Sequence, residues 1–233
     1  MKWAARIVLT AVLAGCSGMV SAAQPEVSTA KVAEVTFQLE RPGLPVPRFT
    51  LRIREDGTGS YHAEEVQGPA DGGAVHYATG KAIDRPIELN PVAVARIFKA
   101  ARELGRFDMT CASKAKNIAD TGKKTLSYAG PDGVGSCSYN YSENKTVEML
   151  TDRFLAIACT LDEGRRLEYL HRYDRLGLDA EMNSFKEAVT AGRAREVSTI
   201  APVLTSIAAD AAVMQRVRLT AAKLLEQAKD DKM

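Results

Sequence analysis

The chain lacks the features that mark several common functional classes. Its 31 basic and 29 acidic residues leave a formal net charge of +2, and the two signs are interleaved along the sequence. No stripe of one sign is available to follow a nucleic-acid backbone, which argues against nucleic-acid binding. The four cysteines never form a C-x-x-C pair, the close spacing typical of a metal-thiolate site. We therefore expect neither a cofactor nor a nucleic-acid partner.

The apolar run near the N-terminus is too short to cross a bilayer. Lys2 and Arg6 precede the run Ile7–Gly15, which is well below the roughly 20 apolar residues that a membrane span requires. A basic start, a short apolar run and small residues after it are typical of an export leader. We predict a leader over residues 1–22, a tether over 23–30, and a protein that works outside the cytoplasm.

The leader contains two alternative cleavage sites. Leu13-Ala14-Gly15-Cys16 has the form of a bacterial lipobox, in which Cys16 is acylated and becomes the first mature residue. A lipid on Cys16 would be the sole membrane attachment. Ser21-Ala22-Ala23 instead has small residues where ordinary signal peptidase requires them. The short run favours the lipobox, and both alternatives stay open at this point.

Three cysteines remain when Cys16 is set aside. An oxidising compartment favours one disulfide, and an odd count leaves one thiol over. Cys159 belongs to a helical stripe, where a small thiol packs well; the stripe consists of Val147, Leu150, Phe154, Ile157 and Leu161. We therefore predict a Cys111–Cys137 disulfide and a reduced, buried Cys159.

Alternating apolar residues predict an α+β fold for residues 31–161. Period-two alternation indicates half-buried antiparallel strands, at 33–39, 49–53, 60–65, 75–79, 124–128 and 136–141. A cap at Asn90 followed by Pro91 begins one helix, and Ser142 is predicted to begin a longer one. The expected architecture is an antiparallel sheet of about five to six strands packed by helices.

Residues 162–233 are predicted to be entirely helical. Asp179, Thr199 and Asp210 are the predicted N-caps of the last three helices. The order Pro202, Asp210, Val217-Arg218, Ala221-Ala222, Leu224-Leu225 resembles one HEAT-type helical hairpin. A solenoid needs several such units. We therefore expect a helical cap packed on the sheet.

The stretch Phe49–Glu64 carries a second resemblance. It reads F-T-L-R-I-R-E-D-G-T-G-S-Y-H-A-E and is similar to a secreted bacterial domain family of unknown function, whose strands read x-L-x-I-x-x-D-G-x-x-x-Y. The resemblance implies export and an α+β fold. It implies no activity.

Asp120-Thr121-Gly122 matches the D-T-G loop of aspartic proteases. Those enzymes need two carboxylates that share a proton. This chain has no second copy, and Lys123 and Lys124 follow the motif. A plain Asx turn before a strand is the favoured interpretation.

His62, Glu64 and His76 form a second candidate site. His62 and Glu64 are two residues apart on one strand, so they point to the same side of the sheet. With His76 from a neighbouring strand they could hold zinc with an open position. Exposed polar residues on a wet sheet face are the simpler interpretation.

The sequence therefore favours a non-enzymatic exported protein, periplasmic or at the cell envelope, that binds or scaffolds an envelope protein or peptide. The alternative is an extracytoplasmic hydrolase that uses the Asp120 loop or the His62, Glu64 and His76 group. Geometry distinguishes the two hypotheses. An enzyme needs its reactive groups in one concave pocket, whereas a binding protein presents an exposed apolar patch or groove.

Overall fold

Six strands and five α-helices are formed by residues 32–65 and 81–230, the part of the chain that the computed structural model describes. The strands are β1 (Glu34–Glu40), β2 (Arg48–Arg54), β3 (Thr58–Glu65), β4 (Lys81–Glu88), β5 (Lys123–Gly130) and β6 (Gly133–Tyr139). The helices are α1 (Pro91–Glu103), α2 (Lys145–Tyr173), α3 (Leu178–Thr190), α4 (Ala201–Ala209) and α5 (Gln215–Asp230).

The strands form one antiparallel sheet in the order β4-β3-β2-β1-β5-β6. Alternation sets its two faces: Val35, Phe37 and Leu39 of β1 are buried, while Gln38 between them is exposed. Gly57, at φ +89°, makes the tight turn between β2 and β3. The predicted α+β class and strand number are confirmed.

Helix α2 crosses the whole inner face of the sheet. Its contacts cross the sheet in order on four of the six strands, β6, β1, β3 and β4: Thr151 with Tyr139, Phe154 with Phe37, Asp162 with Tyr61, and Glu168 with Arg85. Between Thr151 and Glu168 the helix rises about 25 Å. Five strand spacings measure about 24 Å. The last turn of α2 therefore extends past β4.

Helix α1 also contacts the sheet, through Phe98 and Tyr128 of β5, whereas α3, α4 and α5 pack mainly against α2 and one another. Helix α3 contacts α2 and α5, and α4 contacts α2 and α5. The expected helical cap is therefore present in part: residues 162–173 of α2 pack on β3 and β4 through Asp162, Arg165 and Glu168. Helix α2 also continues through residue 162, where the sequence suggested a boundary between two helices.

Of the predicted helix N-caps, one is confirmed and the others differ from the structure. Asn90 caps α1 as predicted, and its Oδ1 accepts the Ala93 N–H at 2.8 Å. Helix α2 is capped by Asn144 rather than Ser142. The other three predicted caps lie elsewhere: Asp179 is inside the first turn of α3, Thr199 is in a 3₁₀ turn before α4, and Asp210 ends α4.

The Cys111–Cys137 disulfide is confirmed, with a Cα–Cα distance of 5.7 Å. Cys159 is free as predicted, but it is only partly buried. The predicted strand at 75–79 lies outside the described residues. Strand β4 was not predicted, because Pro86 interrupts its pattern.

Candidate functional site

Exposed aromatic side chains lie where α2 passes the edge of the sheet. Tyr169 and Tyr173 are 61% and 66% exposed, and their ring centroids are 5.1 Å apart. Leu176, just after the helix, is 87% exposed. Burying such side chains in a partner would remove apolar surface from water.

A groove of about 380 Å³ lies between this part of α2 and β4. We call it the edge groove; its lining includes Ala82, Ile83, Asp84 and Arg85 of β4, and Arg165, Glu168, Tyr169, Arg172 and Tyr173 of α2. Neighbouring residues on a strand point to opposite faces of a sheet. A groove that touches four consecutive strand residues must therefore run along the edge of the strand.

The outer edge of β4 is available in the described part of the chain. Strand β4 is last in the sheet and pairs with β3 on its other side. No described strand pairs with its outer side, so backbone N–H and C=O groups face the groove there. Pro86, which lacks an N–H, is typical of such an edge strand.

Ion pairs hold the two walls of the edge groove together. Arg165 donates to both carboxylate oxygens of Glu65, at 3.0 and 2.8 Å. Arg85 donates to Glu168 at 2.6 Å. These pairs neutralise four of the groove's charges and fix the position of α2 against the sheet.

Arg172 is the third arginine of the groove, and it takes part in neither of these ion pairs. Its guanidinium lies 5.9 Å from the centre of the Tyr173 ring. No carboxylate among the described residues comes within ion-pair distance of it. The groove therefore combines a strand edge, two exposed rings, the Arg172 cation and the Asp84 carboxylate, which contacts His62. A strand edge with neighbouring side chains is one way in which proteins bind extended peptides.

Two of the three side chains of the predicted zinc site are described, and both contact other residues. His62 and Glu64 share the outer face of β3 as predicted, but His62 Nδ1 lies 2.7 Å from Asp84 Oδ1. Glu64 accepts a hydrogen bond from Arg48 at 3.3 Å. His76 lies outside the described residues, within which no group of three or more metal-binding side chains occurs.

Asp120 lies in an Asx turn, as the sequence favoured. Its Oδ1 accepts the Gly122 N–H at 2.9 Å, and the side chain is exposed. Asp120 and Glu64 both line a broad cleft of about 720 Å³. Glu64 is engaged there by Arg48, and Asp120 by its own turn. The cleft therefore contains two of the candidate catalytic or metal-binding carboxylates, and each of them is already hydrogen-bonded to another group.

Lys124 has a role that sequence reasoning missed. It is only 6% exposed, and its Nζ donates to Asn140 O at 2.7 Å and to Thr121 Oγ1 at 2.8 Å. Burial lowers the pKa of Lys124, and the Arg41 charge adds to this effect. The lysine ties the D-T-G loop to the end of β6. The sequence signal that could have revealed this role is that Lys124 stands in register with Leu126 and Tyr128, the buried positions of β5.

Comparison with protein-family models and with curated proteins found no match for this chain. The two resemblances noted in the sequence therefore carry no functional argument. Across residues 32–65 and 81–230, no helix has both the length and the apolar character needed to cross a membrane.

Proposed function

We propose that this chain is an exported, non-catalytic binding protein that takes up an extended segment of a partner polypeptide along β4. The edge groove is the observation that carries the proposal. Added backbone hydrogen bonds would supply affinity, and Tyr169, Tyr173 and Arg172 would select the side chains that face α2. The preferred segment would have apolar residues at alternate positions and an acidic residue near Arg172.

The engagement of the candidate reactive groups supports binding over hydrolysis. Asp120, His62 and Glu64 each have a partner that serves the fold: a turn amide, Asp84 and Arg48 respectively. A hydrolase would instead need an acid, a base and a nucleophile directed at one point.

Export rests on the leader and on the disulfide. A buried Cys111–Cys137 bond is compatible with an oxidising compartment. The choice between the lipobox and ordinary cleavage is tested by Cys16→Ser. We expect this variant to be exported and to leave the membrane fraction if the lipobox is used.

Peptide display tests the proposed binding. Purified protein is panned against a library of random decapeptides, and the enriched sequences are compared among three forms of the protein. We expect wild type to enrich sequences with alternating apolar residues. The double variant Tyr169→Ala, Tyr173→Ala should lose this enrichment, because both rings are removed from the groove.

Tyr141→Ala is the matched control, since Tyr141 is also exposed but lies beyond β6 at the other side of the sheet. It should enrich the same peptides as wild type. Enrichment that survives the double variant, or the absence of any enrichment by wild type, would contradict the proposal.

A further inference from the structure

A second cavity, separate from the edge groove, lies where three helices meet. It measures about 250 Å³ and is bounded by the N-terminal part of α1, the N-terminal third of α2, and the end of α3 with the loop that follows. Arg96, Arg153 and Arg195 line it, together with one acidic residue, Glu196. Val92, Val189 and Val197 add apolar wall. Three cations and one anion make this an electropositive cavity.

The loop that carries Arg195 and Glu196 is firmly held. The Arg195 N–H donates to Ala156 O at 3.3 Å, and the Thr160 hydroxyl donates to Arg195 O at 2.6 Å. Both bonds attach the loop backbone to α2. The backbone from which the Arg195 side chain projects is therefore fixed against α2.

Glu196 is held in an unusual conformation. Its backbone is left-handed, at φ 58° and ψ 49°, although it is not glycine. Its side chain is 7% exposed, and it accepts hydrogen bonds from Asn90 Nδ2 at 2.5 Å and from Arg153 at 3.4 Å. Non-glycine residues adopt this conformation at a cost, and such residues are concentrated at binding sites.

Two of the three arginines have no acidic partner among the described residues. Glu196 is the ion-pair partner of Arg153. Within the described residues, Arg96 and Arg195 have no carboxylate at ion-pair distance, and both side chains are exposed at the cavity. Burial lowers the pKa of Arg153, Glu196 opposes this shift, and the like charges of Arg195 and Arg96 add to it. An anion placed among the three guanidinium groups would relieve their mutual repulsion.

We infer that this cavity binds a small organic anion through its carboxylate or phosphate oxygens. Guanidinium groups match both kinds of oxyanion with paired, charge-assisted hydrogen bonds. The positive end of the α1 dipole, at the cavity wall, favours the same sign of ligand. The volume limits the ligand to a small molecule, and the valines suit a short apolar body. Glu196 positions Arg153 at the cavity through their ion pair.

Calorimetric titration with citrate and with inorganic phosphate tests the inference, at an ionic strength held constant with sodium chloride. We expect saturable binding of at least one anion, one molecule per chain. Arg96→Ala and Arg195→Ala should each weaken it about tenfold, the effect of losing a charge-assisted hydrogen bond. The relative response to citrate and phosphate tells which oxyanion the cavity prefers.

Arg193→Ala is the matched control. Arg193 lies on the same loop and carries the same charge, but it does not line the cavity. It should bind as wild type does. Equal losses in Arg193→Ala and Arg195→Ala, or no saturable binding of either anion, would overturn the inference. The double variant Tyr169→Ala, Tyr173→Ala should keep anion binding, so this site and the edge groove are tested independently.

Discussion

The Asp120 side chain closes the turn that leads into β5, through its bond to the Gly122 N–H. An asparagine oxygen can accept the same hydrogen bond. Asp120→Asn should therefore change the unfolding free energy by less than about 0.5 kcal/mol, as for an ordinary surface substitution. Denaturant unfolding measures this change. Peptidase activity with an acidic optimum, abolished by Asp120→Asn, would revive the hydrolase hypothesis.

Two carboxyl groups face each other between α2 and α3. Glu163 Oε2 and Glu181 Oε1 are both buried, and neither accepts a hydrogen bond among the described residues. Burial and the adjacent Glu181 carboxyl raise the pKa of Glu163 to about 7, while Arg166 opposes the shift. A proton shared by the two carboxyl groups would satisfy both oxygens.

This pair makes stability depend on pH. The pKa of Glu163 is higher in the folded chain than its ordinary value of 4.5, so the folded state binds the proton more tightly. The stabilisation of the folded state that comes from this bound proton is fully present below about pH 4.5, and it is lost as pH rises through 7. Glu163→Gln should remove this dependence and stabilise the protein at pH 8, by on the order of 1–2 kcal/mol.

Unfolding curves at pH 5 and pH 8 measure the effect as a difference between variant and wild type. Glu187→Gln on the exposed side of α3 is the control, and it should match wild type at both pH values. A Glu163→Gln variant that is destabilised equally at pH 5 and pH 8 would rule out the shared proton.

At the scale of elements, the disulfide ties the segment between α1 and β5 to the sheet. Cys111 and Cys137 are 26 residues apart, and both are buried. Closing such a loop stabilises by about 3.5 kcal/mol in the chain-entropy model. The double variant Cys111→Ala, Cys137→Ala should lower the unfolding free energy by about this amount. Cys159→Ala should have a smaller effect, and equal losses in the two would show that the disulfide adds little.

Strands were predictable where alternation was regular, and helix ends were not. The apolar stripe stops at Leu161, so the sequence suggested a helix end there. In the structure Asp162 lies inside α2 and accepts a hydrogen bond from the Tyr61 hydroxyl at 3.0 Å. Gly164 also belongs to the helix and packs against Ile200. A local pattern cannot distinguish a helix end from polar or small residues that meet distant partners.

The edge groove could not be predicted for a related reason. Tyr169 and Tyr173 are four residues apart, the spacing of neighbours on one helix face. Whether that face is buried depends on where α2 passes the last strand of the sheet, and the sequence of the helix alone does not contain that information.

The Cys111–Cys137 pairing was predictable, because the helical stripe around Cys159 left Cys111 and Cys137 as the pair to be bonded.

At the scale of the whole molecule, the two proposed sites lie on different parts of α2. Arg153, in the N-terminal third of the helix, lines the cavity proposed to bind an anion, and Tyr169 and Tyr173, in its last turns, line the edge groove. The same helix covers the inner face of the sheet between them. A variant at one site should therefore leave the other site and the fold intact.

Hydrogen exchange on the protein bound to an enriched peptide tests strand addition at β4 most directly. An added strand would hydrogen-bond the outward N–H groups of β4 and slow their exchange. We predict slower exchange in the β4 segment 82–88 and an unchanged rate in β6. Protection confined to β6, β1 or β2, with no change in β4, would contradict the account.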